Sequence, residues 1–155
     1  MNLVTLTINN RKIEVEGGTS ILNAAKSLNI HIPTLCYFKL HDGRTVNDPG
    51  SCRVCVVEVE GRRNLAPACS TPVSDGMVVK TNSIRAIKAR RTVVELLLSN
   101  HPKECLLCEK NRKCELQSLA AELDIREIKY VGKMSHYPTD NSSYSIIRNL
   151  DKCIL

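Results

Sequence analysis

The sequence has no tryptophan, one phenylalanine and four tyrosines among 155 residues, which excludes a core built on large aromatic side chains. It has no long apolar run either. The greasiest stretch, residues 93–98, is broken by Glu95 and falls far short of the ~20 residues that a membrane-spanning helix needs. Met1 is followed by near-alternating Leu3, Val4, Leu6 and Ile8 rather than by a basic start and an apolar segment, so a secretory leader is not expected. Small pieces with thin cores usually need staples. Cysteine, by contrast, is plentiful at eight residues. In the cytoplasm, the compartment expected for this chain, such cysteines are more often ligands than disulfides.

The remaining composition, 43% hydrophobic and 25% charged, fits one ordinary globular domain or two small ones. The formal charge of +6 counts every cysteine as a neutral thiol. Seven thiolates and two iron-sulfide cores of charge 2+ would bring the net to about +3. With no aromatics interleaved among the basic residues, a nucleic-acid partner is not expected, and the Lys and Arg residues read mainly as solvated surface.

The cysteines fall into two groups. His101, Cys105, Cys108 and Cys114 follow one another at gaps of three, two and five residues. Upstream, Cys36, Cys52, Cys55 and Cys69 are separated by fifteen, two and thirteen. Soft donors so spaced can enclose one thiophilic centre, either zinc or an iron-sulfur cluster. The eighth cysteine, Cys153, stands third from the end.

Periodicity supplies a frame for the first group. Residues 3–8 and 11–15 read as strands about a turn at Asn9-Asn10. Thr19 or Ser20 caps a helix with Ile21, Ala24, Ala25 and Leu28 on one face, ended by Pro33. A polar loop, 37–51, follows Cys36, and residues 53–60, 64–69 and 77–81 read as strands. The order ββαβββ predicts an α+β sheet of β-grasp type covered by one helix. Gly50 and Ser51 would let backbone N–H groups approach the sulfurs of the Cys52-x-x-Cys55 pair.

Further on, Asn82 or Ser83 caps a helix to about residue 99, with an expected apolar stripe of Ile84, Ile87, Val94 and Leu98. Arg85, Lys88, Arg90 and Arg91 are expected to be mostly exposed. A helix over 114–123, with Leu116, Leu119, Ala120 and Leu123 on one side, covers the second group. From Asp124 helical periodicity fades into a connecting segment. The expected divisions are 1–81, 82–124 and 125–155, the last opening as a linker.

Residues 1 to about 80, with Gly50-Ser51-Cys52-Arg53-Val54-Cys55, resemble a 2Fe-2S ferredoxin domain. The gaps depart from plant-type spacing and fit better the variant at the front of multi-cluster oxidoreductases; the extra loop, 39–49, is expected to affect exposure or docking rather than ligation. The stretch from His101 to Cys114 is similar to the 4Fe-4S module with one histidine and three cysteine ligands. That module follows the ferredoxin domain in FeFe-hydrogenases, NADH-dependent formate dehydrogenases and the large iron-sulfur subunit of complex I. Residues 93–102, Val-Val-Glu-Leu-Leu-Leu-Ser-Asn-His-Pro, with Cys114-Glu115-Leu116-Gln117, look most like the hydrogenase group, and within it the NAD(P)-linked, electron-bifurcating type.

The resemblance implies a 2Fe-2S cluster on Cys36, Cys52, Cys55 and Cys69 and a 4Fe-4S cluster on His101, Cys105, Cys108 and Cys114. Cys153 would be the first ligand of a further 4Fe-4S cluster in a ferredoxin-like domain, of which this chain holds only the front; the H-cluster would lie further on. No catalytic residue is expected here. The clusters would relay electrons between a hydrogen-converting site and a flavin- and NAD(P)-binding iron-sulfur partner subunit, in a complex with a small thioredoxin-like 2Fe-2S subunit. Three alternatives stay open: the same module in a formate dehydrogenase or complex I-like protein, a zinc-stapled interaction module, and an iron-sulfur sensor or store.

Overall fold

Alternation at the start of the chain makes a hairpin. In the computed structural model, which describes residues 2–44, 48–131 and 134–153, strand β1 (Leu3–Ile8) buries Val4, Leu6 and Ile8. It pairs antiparallel with β2 (Arg11–Glu16), Ile8 opposite Arg11 and Leu3 opposite Glu16. The two residues between them, Asn9 and Asn10, both take positive φ, 47° and 66°. That is the two-residue turn whose twist matches paired strands, and asparagine tolerates it. Asn9 also exchanges two hydrogen bonds with Thr81, which ties the hairpin tip to the end of the strand that lies beside β1.

Helix α1 (Ile21–Ser27) starts where Ser20 accepts the Asn23 N–H at 3.3 Å, the expected cap. It buries Ile21, Leu22, Ala24 and Ala25 against the sheet. It stops well before Pro33. Asn29 adopts φ 56° just beyond the C-cap, and the N–H groups of Asn29 and Ile30 turn back onto the Lys26 and Ala25 carbonyls. This asparagine-terminated Schellman closure, rather than the proline, ends the helix.

Three shorter strands complete the sheet: β3 (Val56–Val59), β4 (Ala66–Pro67) and β5 (Val78–Lys80). The spatial order is β2-β1-β5-β3-β4, with β1 and β5 parallel and the other pairs antiparallel. The element order ββαβββ is as expected, and the domain is mixed α/β. β3 begins three residues later than expected, because Arg53 takes φ 60° and the preceding segment is a loop. Of the loop expected at 37–51, residues 45–47 lie outside the described residues.

Helix α2 (Ile84–Ser99) is capped by Ser83, whose hydroxyl accepts the Ala86 N–H at 3.2 Å. Its buried face differs from the expected stripe. Ile84 and Ile87 are exposed, while Ala86, Arg90 and Val94, spaced four apart, are buried. Arg90, expected at the surface, is only 4% exposed, its guanidinium turned onto two backbone carbonyls. Nε and Nη2 donate to Val56 O at 3.2 and 2.9 Å, and Nη2 donates to Thr81 O at 2.7 Å. The planar guanidinium has the donors to make all three bonds at once.

The chain divides into two compact units, Met1–Arg90 and Arg91–Leu155. The second is lightly built. Val94, Leu116 and Leu119 are its buried apolar residues among those described, and buried Glu95 is paired with Arg91 at 3.2 Å. Helix α3 (Glu115–Glu122) begins at Cys114 and closes like α1: Asp124 takes φ 50°, and the Ile125 N–H reaches the Ala120 carbonyl. Leu116 and Leu119 face inward as expected. Two short 3-10 turns, Cys105–Leu107 and Leu150–Lys152, complete this unit. Among the described residues no helix is long and apolar enough to cross a membrane.

Candidate metal centres

All four cysteines of the first group are buried, with Cys36 at 1%, Cys52 at 5%, Cys55 at 0% and Cys69 at 4% exposure. Cys55 immediately precedes β3, and the Ala68 N–H donates to Cys55 O at 3.2 Å, which brings Cys69 alongside. The Cys55 and Cys69 sulfurs lie 3.3 Å apart, and neither is in a disulfide.

Backbone donors crowd the other two sulfurs. Burial alone would push the Cys36 thiol up, but the N–H and thiol of Cys52, with the N–H groups of Gly50 and Ser51, outweigh it and hold the thiol below its ordinary value. Gly50 takes φ 97°, and a Cβ there would stand 3.0 Å from Ser70 Oγ, so only glycine presents this N–H without strain. Cys52 accepts the Val54 N–H at 3.5 Å, across the left-handed Arg53, yet burial keeps its thiol raised. Cys69 is pushed up to about 12 by burial first and by the neighbouring Cys55 thiol next, with charge on Cys36 and Cys52 acting in the same direction. The four sulfurs therefore feel one another. Four thiolates buried together require a cationic centre, and a group held by them gains N–H donors already aimed at sulfur. The donor set fits an iron-sulfur centre.

The second group lines one cavity. His101, Cys105, Cys108 and Cys114 surround about 470 Å³ of empty space, mouth included, together with Glu104, Lys110, Gln117 and Lys152. Cys105 and Cys108 are the two ends of one 3-10 turn, closed by the Cys108 N–H on Cys105 O at 3.2 Å. Cys114 stands at the N-cap of α3. Gln117 braces the loop, accepting the Arg112 N–H at 3.0 Å while its amide donates to Asn111 Oδ1 at 3.3 Å.

His101 Nδ1 lies 3.0 Å from Pro102 O. A carbonyl only accepts, so this contact is a hydrogen bond in the tautomer that carries its proton on Nδ1, which is also the one that leaves Nε2 for a metal. Three soft thiols and one such imidazole around a single space also fit an iron-sulfur group. Among the described residues, no three His, Cys, Asp or Glu side chains are drawn around a point as a lone metal ion would require. The first four cysteines are thus buried, Cys55 beside Cys69, and the other four donors line one cavity, while Cys153 is exposed after the last turn. Sequence reasoning missed Arg90, Gln117 and Lys152; nothing in their spacing marks them, since each acts through backbone or cavity geometry.

Comparison with known proteins agrees with this division. The 2Fe-2S iron-sulfur cluster binding domain family matches residues 1–84, and the NADH-ubiquinone oxidoreductase-G iron-sulfur binding region matches residues 90–129. The chain is 60% identical over 156 residues to the NADP-reducing hydrogenase subunit HndD of Solidesulfovibrio fructosivorans, aligned over 100% of this chain and 26% of that protein. It is 43% identical over 114 residues to the mitochondrial NADH-ubiquinone oxidoreductase 78 kDa subunit of Candida albicans, aligned over 74% of this chain and 15% of the relative. A crystal structure of an NAD+-reducing [NiFe]-hydrogenase in the H2-reduced state superposes with a TM-score of 0.85 at 31% identity, covering 98% of this chain and 62% of that one. The chain spans about a quarter or less of the length of these two curated relatives.

Proposed function

We propose, for a chain that belongs to the 2Fe-2S iron-sulfur cluster binding domain family through residues 1–84, that it is an electron-transfer segment with two iron-sulfur sites in series. Cys36, Cys52, Cys55 and Cys69 hold a 2Fe-2S cluster on a β-grasp sheet, and His101, Cys105, Cys108 and Cys114 hold a 4Fe-4S cluster in the helical part. The working segments are 1–81 and 82–124, with 125–155 leading to Cys153 as first ligand of a further 4Fe-4S cluster.

Such clusters, when bound, accept and return one electron at a time. The chain's own residues set the terms. N–H groups of Gly50, Ser51 and Cys52 offset negative charge at Cys36, burial excludes water from the first site, and neutral His101 leaves the second ligand set one charge less negative than four thiolates.

The observation that supports this reading is the burial of Cys36, Cys52, Cys55 and Cys69 beside backbone N–H donors, together with the one cavity whose lining includes His101, Cys105, Cys108 and Cys114. The parent is read as an FeFe-hydrogenase subunit of NAD(P)-linked, electron-bifurcating type. It would be cytoplasmic and would exchange electrons with a flavin- and NAD(P)-binding partner and a small thioredoxin-like 2Fe-2S subunit; 60% identity to the HndD subunit along the whole chain supports this. The match of residues 90–129 to the NADH-ubiquinone oxidoreductase-G region favours a second reading, the same module in a complex I-like protein.

Anaerobic visible absorption and reduced-state EPR of residues 1–155, with iron, sulfide and zinc assayed, test the sites. The expected result is two signals, one lost in Cys52→Ser and the other in Cys105→Ser. A colourless, zinc-bearing, sulfide-free protein, even after cluster reconstitution, would replace the relay by a structural module. Hydrogen-dependent NADP+ reduction by the native complex separates the two parents.

A further inference from the structure

The cavity formed by His101 and the three cysteines is not closed by their own loop alone. Lys152, thirty-eight residues after Cys114, also lines it. The other two charged residues on the wall, Glu104 and Lys110, lie within the ligand loop and carry opposite signs, so Lys152 leaves the wall with a net positive charge. We propose that Lys152 is a positioning residue that sets the reduction potential of the second site by placing an ammonium against it.

The placement is built rather than incidental. Lys152 closes the 3-10 turn Leu150–Lys152, in which Asn149 Oδ1 accepts the Asp151 N–H at 3.1 Å and the Cys153 N–H donates to Leu150 O at 3.0 Å. Asp151 in turn accepts the Tyr137 N–H at 2.7 Å and lies 3.5 Å from His136 Nδ1, so the turn is pinned to a separate stretch of chain. These contacts hold the backbone of the turn from which Lys152 reaches the cavity wall. A surface lysine held only by solvent would need none of them.

The consequence follows from charge. Reduction adds an electron to the ligated group, and a nearby cation stabilises the added charge, so the reduced form is favoured while Lys152 is present. Its exposure lets salt screen the effect. Lysine rather than a neutral residue at this position therefore raises the potential of the His101 site relative to the same ligands without it. The proposal rests on the 4Fe-4S reading of that site.

The test is an EPR-monitored redox titration of loaded residues 1–155, comparing the unaltered chain with Lys152→Gln and Lys152→Arg. Lys152→Gln is expected to shift the reduction equilibrium of the second site up to tenfold toward the oxidised form, a lowering of as much as about 59 mV for one electron. Lys152→Arg, which keeps the charge, should restore the potential. The first site serves as internal control and should not move, and the difference between the unaltered chain and Lys152→Gln should shrink as salt is raised. An unchanged potential in Lys152→Gln, or a shift equally large in Lys152→Arg, overturns the role of Lys152 while leaving the two-site relay intact. Absence of any second cluster signal in the unaltered chain overturns the relay and this inference together.

Discussion

Gly50 and Arg90 do their work through backbone atoms of other residues. Gly50 holds φ 97° with Ser70 Oγ at 3.0 Å from any added Cβ, and its N–H is one of three that lower the Cys36 thiol. Gly50→Ala should cost about 1–3 kcal/mol of stability, read from urea unfolding of the metal-free chain, and should lower the potential of the first site as an N–H donor leaves its sulfur. Arg90 is tied to Val56 O and Thr81 O by three hydrogen bonds. Arg90→Met, apolar and of similar length, leaves those carbonyls without their guanidinium and should cost about 3 kcal/mol in the same assay. The donors themselves were legible, because thiols and an imidazole at these spacings have few other uses. Arg90 was not: next to Arg91 and two residues after Lys88 it has the pattern of a solvated charge, and only the placement of β3 discloses the carbonyls it serves.

At the level of elements, the start of α2 is coupled to β3 through a chain of hydrogen bonds. Ser83 accepts the Ala86 N–H and its hydroxyl holds the Glu58 carboxyl below the usual carboxylate range, with Arg85 beside it at 3.3 Å adding to the effect. Ser83→Ala should cost about 1 kcal/mol near neutral pH for the lost cap. Glu58 is lowered in the folded state, so its share of stability is present above its unfolded value of about 4.3 and is lost as pH falls through the folded value. The deficit of Ser83→Ala, followed by urea midpoints from pH 7 downward, should therefore narrow in acid. Strand alternation and both serine caps were readable in advance. The end of α1 and the buried face of α2 were not, since one depends on Asn29 tolerating a left-handed conformation and the other on a buried arginine displacing two isoleucines from the expected stripe.

For the whole molecule, the contrast between units decides what the clusters must do for folding. The main apolar core runs from Val4 to Val79, whereas residues 91–155 bury Val94, Leu116 and Leu119 among those described. A unit with so little core depends on its ligated centre for stability. Hydrogen exchange on the metal-free chain should show residues 101–122 unprotected while residues 3–8 and 56–59 stay protected, and reconstitution should restore the former. The same contrast orders chemical damage. Sulfurs at 5% exposure or less in the first site face little attack, while Cys105 is exposed and flanked by Leu106 and Leu107 at 89% and 82%. Oxidation follows access. A sample left in air should therefore bleach in a fixed sequence, the histidine-bearing site first and the buried one long after, so that the ratio of the two signals serves as a clock for how long a preparation has met oxygen.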